Sequence, residues 1–153
     1  MVLQAIEQFV SATIGTIAFS VMFIVPYRYY VDCGIIGGFG WLIYWLLTHL
    51  TAFSPFGATL IATTFVTLGS RIEAARRHCP ATMFLMPVVF PLVPGIAIYR
   101  TIYSLMINQP DKSAEYGRSA FTTALAIVIG LMIAYEIPQQ AVNRIGTFLR
   151  REK

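Results

Sequence analysis

The chain has 153 residues, 57% of them hydrophobic and 12% charged, with a formal net charge of +4. A soluble domain carries roughly 25% charged residues, so this composition excludes an ordinary soluble globular fold. The positive balance does not point to nucleic acid; cationic anchors at a membrane surface account for it.

The first charge-free run, Gln8 to Tyr27, predicts a span over about residues 5–25. No basic region precedes it, and Glu7 and Gln8 occupy that place, so it reads as a retained span rather than a signal peptide. Gln8, Ala12, Thr16 and Ser20 recur every four residues and form one small or polar face. From Cys33 to Ser70 no Asp, Glu, Lys or Arg occurs, a run of 38 residues. One bilayer crossing needs only about 20 helical residues, so the run reads as two spans, 34–50 and 54–70. The second opens with Gly34, Gly37, Gly38 and Gly40, which permits close helix approach. Trp41, Tyr44 and Trp45 fall in its outer half, and Tyr27, Tyr29 and Tyr30 sit with Arg28 at the inner boundary. The third carries Thr59, Thr63 and Thr67, again every four residues.

The fourth span covers 81–107, about 40 Å as one helix against a core of about 30 Å. Pro87, Pro91 and Pro94 fall within eight residues of it. Each interior proline removes a backbone bond and clashes with the preceding turn. The expectation is a half-helix, an unwound piece near 88–93 and a second half-helix starting at Pro94. The N–H groups of Gly95, Ile96 and Ala97 then lack intrahelical partners near the midplane, where lipid offers none. Such a helix start suits a carboxylate, and broken helices of this kind recur in secondary transporters. A kink sealed by neighbouring helices is the competing reading. Arg100 follows about two turns on, with Tyr103 three residues further. Two roles are open for it: pairing with a carboxylate in a cavity, or snorkelling outward. The fifth span, 118–137, carries Ser119, Thr123, Ala126, Gly130 and Ala134 on one face. For all these small faces the readings are tight packing, with hydroxyls bonded to their own helices, or a polar path lined by Gln8, Thr16, Ser20, Thr59, Thr63 and Thr123.

The whole chain, 1–153, is therefore expected to be one integral membrane domain: all-α and polytopic, with about five transmembrane helices. Five crossings place Arg28, Arg71, Arg76, Arg77, Arg144, Arg150, Arg151 and Lys153 on one side and Lys112 and Arg118 on the other. Eight cations against two put the N-terminus outside and the C-terminus in the cytoplasm. A sixth crossing reduces the split to six against four. The basic tail 138–153 spaces Val142, Ile145 and Leu149 as a surface helix would, or serves as a simple topological anchor. Cys33 and Cys79 fall at cytoplasmic ends, so no disulfide is expected, and neither has neighbours at metal-ligand spacing. No nucleophile motif, phosphate loop or cofactor signature appears, so neither an enzyme nor a metal or cofactor site is expected. Glu7, Asp32, Glu136 and His49 each lie near a membrane end and read as solvated end-of-helix groups.

"FIVPYR" (23–28), "GIIGGFGW" (34–41), "ARRHCP" (75–80) and "FPLVPGIAIY" (90–99) resemble the C-terminal half of the threonine/serine exporter family. The resemblance covers roughly residues 15–137, and the proline-glycine motif is its most specific part. It carries over to Pro26, Arg28, Gly37, Gly38, Arg76, Pro80, Pro91, Pro94, Gly95 and Tyr99. It departs at Ile24, where the family pattern has Asn, and it does not include Arg100. The resemblance implies the small subunit of a two-component exporter in the bacterial inner membrane. A second homologous membrane subunit would be its partner, and threonine, serine or succinate the solute. A homo-oligomer is the other way to complete such an exporter. An assembly subunit without transport and a small channel are the competing functions.

Overall fold

A computed structural model describes residues 2–50 and 53–144; the tail residues Ile145, Leu149, Arg150, Arg151 and Lys153 lie outside them. Every described element is helical. The order is α1 (Val2–Met22), α2 (Tyr30–Leu50), α3 (Pro55–Arg77), α4 (Ala81–Val89), α5 (Gly95–Met106) and α6 (Pro110–Glu136). A short 3-10 turn, Tyr27–Tyr29, leads into α2, and another, Phe90–Leu92, follows α4.

Three of these helices, α1, α2 and α6, are long and apolar enough to cross a membrane. The pair α4 and α5 passes the same test together and is bent by 49° at its break. The fourth predicted span is thus two helices. The break itself is shorter than the prolines suggested. Helix persists through Pro87 to Val89, the turn Phe90–Leu92 accommodates Pro91, and only Val93 and Pro94 leave helical geometry. Pro87 costs one backbone bond inside a nine-residue helix, and the remaining bonds hold it. Val93 is extended (φ −65°, ψ 132°) because a residue before proline is pushed out of the α region. Pro94 is consequently the cap, and the second half-helix starts at Gly95 rather than at Pro94.

Other boundaries move too. α1 ends at Met22, three residues short of the predicted span, while α2 begins at Tyr30, four residues early. α3 runs on to Arg77, well past residue 70, and α6 starts at Pro110 rather than 118. Lys112 and Arg118 therefore lie in a helix, not a loop.

α3 is the central helix, packed against α2, α4 and α6. Its inward face is small or hydroxylic: Ala58, Thr59, Ala62, Thr63, Thr67 and Ser70 are all at most 1% exposed. Glycines set the helix separations. Gly37 and Gly38 of α2 lie so close to Thr16, Thr13 and Phe9 of α1 that no side chain fits between. Gly40 stands against Val66 of α3 in the same way, and a Cβ on Gly130 of α6 would lie 2.8 Å from the Leu60 carbonyl. These contacts are the small-residue packing that membrane helices use.

Three chain reversals share one device. At Ile24, His78 and Asn108 the backbone is left-handed, with φ of 57°, 56° and 60°. Beyond each, an N–H reaches back five residues: Val25 to Ser20, Cys79 to Ala74 and Gln109 to Ser104. This is the helix-ending arrangement usually occupied by glycine or asparagine. Asn108 suits it; a β-branched Ile24 does not. The position at which the chain departs from the family pattern is thus a conformational one, and Ile24 is 89% exposed with no polar role in sight.

Candidate functional site

The break between α4 and α5 opens onto a cavity of about 390 Å³. Its floor is the broken segment itself, Pro91 to Ala97. Trp41 and Tyr44 of α2 and Thr59 of α3 form one wall; Tyr116, Ser119 and Thr123 of α6 form the other. Arg100 enters from α5, its guanidinium 5.6 Å from the Tyr116 ring centre, a cation–π distance. No carboxylate among the described residues bonds Arg100.

Backbone groups supply the remaining chemistry. The Gly95 N–H turns back to the Val93 carbonyl at 2.8 Å, and Ile98 is the next to bond, to Pro94 at 3.1 Å. The N–H groups of Ile96 and Ala97 have no backbone acceptor among the described residues. The carbonyls of Pro91 and Leu92 likewise accept no described bond. Two donors at the positive end of a helix dipole therefore belong to residues that line the cavity together with Arg100.

Of the residues singled out from sequence, Pro91, Pro94, Gly95, Ile96, Ala97, Arg100, Thr59 and Thr123 border this cavity. Tyr99 and Tyr103 do not. They stack on each other at 6.0 Å on the outward side of α5, 66% and 50% exposed. A three-residue spacing left Tyr103 between two faces, and its ring follows Tyr99 rather than Arg100. Thr16 and Ser20 are buried in the α1–α2 packing, and their hydroxyls donate to the Ala12 and Thr16 carbonyls at 2.8 Å. Thr59 does the same to Pro55. Thr63 is buried with its hydroxyl unpartnered, facing Gly130 across the α3–α6 contact. Gln8 accepts a bond from the Trp41 indole at 2.8 Å.

The other family-pattern residues are structural in placement. Pro26 caps the turn that starts α2, and Pro80 caps α4. Arg28 is exposed. Arg76 pairs with Glu73 at 2.7 Å. Arg77 bonds Glu73 at 2.8 Å and bridges to Asp32 of α2 at 2.7 Å, so Asp32 is an ion-pair partner and not a free carboxylate. Glu7 and Glu136 are exposed, and His49 stacks on Trp45.

One functional-looking residue escaped the sequence reading. Arg71, counted there as a surface anchor, is 4% exposed. Its guanidinium donates to the Ala134 carbonyl, to Ile137 O at 2.9 Å and to Gln139 Oε1 at 2.8 Å, and lies 5.2 Å from the Tyr135 ring centre. It clamps the carboxyl end of α6 onto α3.

Helices apolar enough to span a membrane, with one pair broken over a cavity, define an all-helical membrane-protein domain. Over residues 8–137 the chain matches the family described as "Threonine/Serine exporter, ThrE", and it belongs to that family. A protein of Mycobacterium tuberculosis (strain ATCC 25618 / H37Rv), named probable threonine/serine exporter, is 26% identical over 148 residues. That similarity takes in 92% of this chain but 27% of the mycobacterial protein, so the chain spans about a quarter of that relative's length. No solved structure matches it.

Proposed function

We propose that this chain is a membrane subunit of a secondary exporter for small carboxylate-bearing metabolites, of the threonine/serine type or succinate, in the bacterial inner membrane. A second, homologous membrane subunit completes it. The observation that carries this reading is the pair of unpartnered N–H groups, Ile96 and Ala97, beside Arg100 in one cavity. Uncommitted backbone groups at membrane depth are tolerated only where protein or a wet cavity covers them.

This placement counts five crossings, with α3 added to the three apolar helices and the bent pair. α3 has 23 residues, about 34 Å of helix, and its polar face is covered by neighbours, so it need not be apolar all round. The cationic excess then puts the N-terminus outside and the C-terminus in the cytoplasm. α4 and the turn after it reach about 20 Å from Pro80, which brings the break near the midplane.

In this site a carboxylate accepts from Ile96 and Ala97, the start of α5 stabilising its charge. An amino acid places its ammonium on the Pro91 and Leu92 carbonyls. A dicarboxylate instead presents its second carboxylate to Arg100. Nothing in this scheme breaks a covalent bond; the residues bind and release. The complex isolated through a tag on this chain and reconstituted in liposomes tests the assignment. Arg100→Gln is expected to lower succinate transport at least about tenfold, the loss of one charge-assisted contact, with threonine far less affected. Unchanged succinate transport by a normally inserted variant refutes the role of Arg100.

A further inference from the structure

The large cavity has a neighbour. A second one, of about 250 Å³, runs along the α1 face that carries Gln8, Ser11, Ala12 and Gly15. Trp41 and Pro91 border both cavities. Pro91 is part of the backbone turn and cannot swing, whereas Trp41 is a side chain projecting from α2. Its indole N–H donates to Gln8 Oε1 at 2.8 Å, and its ring leans on Tyr44 with centres 5.3 Å apart.

The helices carrying this pair are packed closely beside it. Gly37 and Gly38 already hold α2 against Thr16, Thr13 and Phe9 of α1. Of the two residues on the shared wall, only Trp41 has a side chain that can turn. Space for that movement exists on the α1 side, where a Cβ on Gly15 would meet nothing within 4 Å. A glutamine amide on an apolar helix also needs a partner, and the Trp41 indole supplies one.

We propose that Trp41 is the movable wall of the carboxylate site and Gln8 is its latch. With the bond made, the indole separates the two cavities. With it broken, the indole turns toward Gly15 and the two cavities join, which enlarges the site in favour of bulkier solutes. Trp41 is thereby a specificity-determining residue and Gln8 a positioning residue acting through it. The size-limiting role rests on the carboxylate-site reading above; the latch itself does not.

The chain holds two tryptophans, so Trp45→Phe leaves Trp41 as the sole reporter. In lipid nanodiscs, acrylamide quenching of Trp41 reads the wall without requiring transport. Gln8→Leu is expected to raise the quenching constant at least about twofold through loss of the bond, while Gln8→Glu, which keeps an acceptor, stays near the parent. Equal quenching in Gln8→Leu and the parent, at unchanged helicity, overturns the latch. Should Gln8→Leu fail to fold, Trp41→Ala decides in its place. It is expected to raise uptake of phenylalanine relative to threonine about tenfold in proteoliposomes, and an unchanged ratio overturns the wall. A quenching difference with no threonine transport by the parent supports the latch and counts against the carboxylate site instead.

Discussion

Replacing Arg71 with Met keeps most of the side-chain volume and removes the clamp on α6. Three acceptors lose their donor: the Ala134 and Ile137 carbonyls and the Gln139 amide oxygen. A buried carbonyl left unsatisfied costs about 1–3 kcal/mol. The Ala134 and Ile137 carbonyls together therefore cost about 2–6 kcal/mol. Against this stands the gain from no longer burying a guanidinium. We expect a net loss of about 3 kcal/mol, on the order of 10 °C in melting temperature for a domain this size. Arg71→Lys retains charge at the helix end but reaches fewer acceptors, so it should lose about half as much. Thermal unfolding of detergent-purified protein, followed by circular dichroism, measures both. A Met variant as stable as the parent refutes the reasoning, because it would show that the α6 carbonyls find other partners at no cost.

Ile24→Asn should stabilise the protein by about 1 kcal/mol, since asparagine tolerates the left-handed backbone that isoleucine resists; a melting temperature unchanged or lowered contradicts this. Gly40→Ala should destabilise by about 1–3 kcal/mol through overlap with Val66. The double variant with Val66→Ala should recover part of the loss, and strict additivity in a double-mutant cycle removes the proposed contact. Deleting this chain from cells that excrete the solute should abolish efflux. Saturation and dependence on proton-motive force then identify a carrier, and their absence a channel.

Three spans and the broken fourth were legible because charge-free runs are rare and lipid demands them; α3, read as a further span, is not among the helices apolar enough to cross. Gly37, Gly38 and Gly40 were legible as close-approach positions for the same reason. The prolines marked where the fourth span breaks but not how. Pro87 turned out to be absorbed within α4, since a short helix survives the loss of one bond, and only Val93 and Pro94 unwind. Arg71 was illegible because its partners lie 63–68 residues later in the chain. Nothing local separates a buried clamp from a surface anchor. The αL turn at Ile24 had a signal, the asparagine of the family pattern, but its meaning was conformational rather than chemical. The division of α5 into a cavity side with Arg100 and an outer side with Tyr99 and Tyr103 depended on ring stacking that periodicity does not encode.

The central claim is that the free N–H groups at the start of α5 bind the solute carboxylate. Ile96→Pro tests it most directly, because proline is tolerated in the first turn of a helix while its N–H is absent. With insertion and helicity unchanged, reconstituted complex should bind or transport threonine about 10- to 100-fold less well, the worth of one hydrogen bond to a charged group. Threonine handled as well by this variant as by the parent would contradict the account.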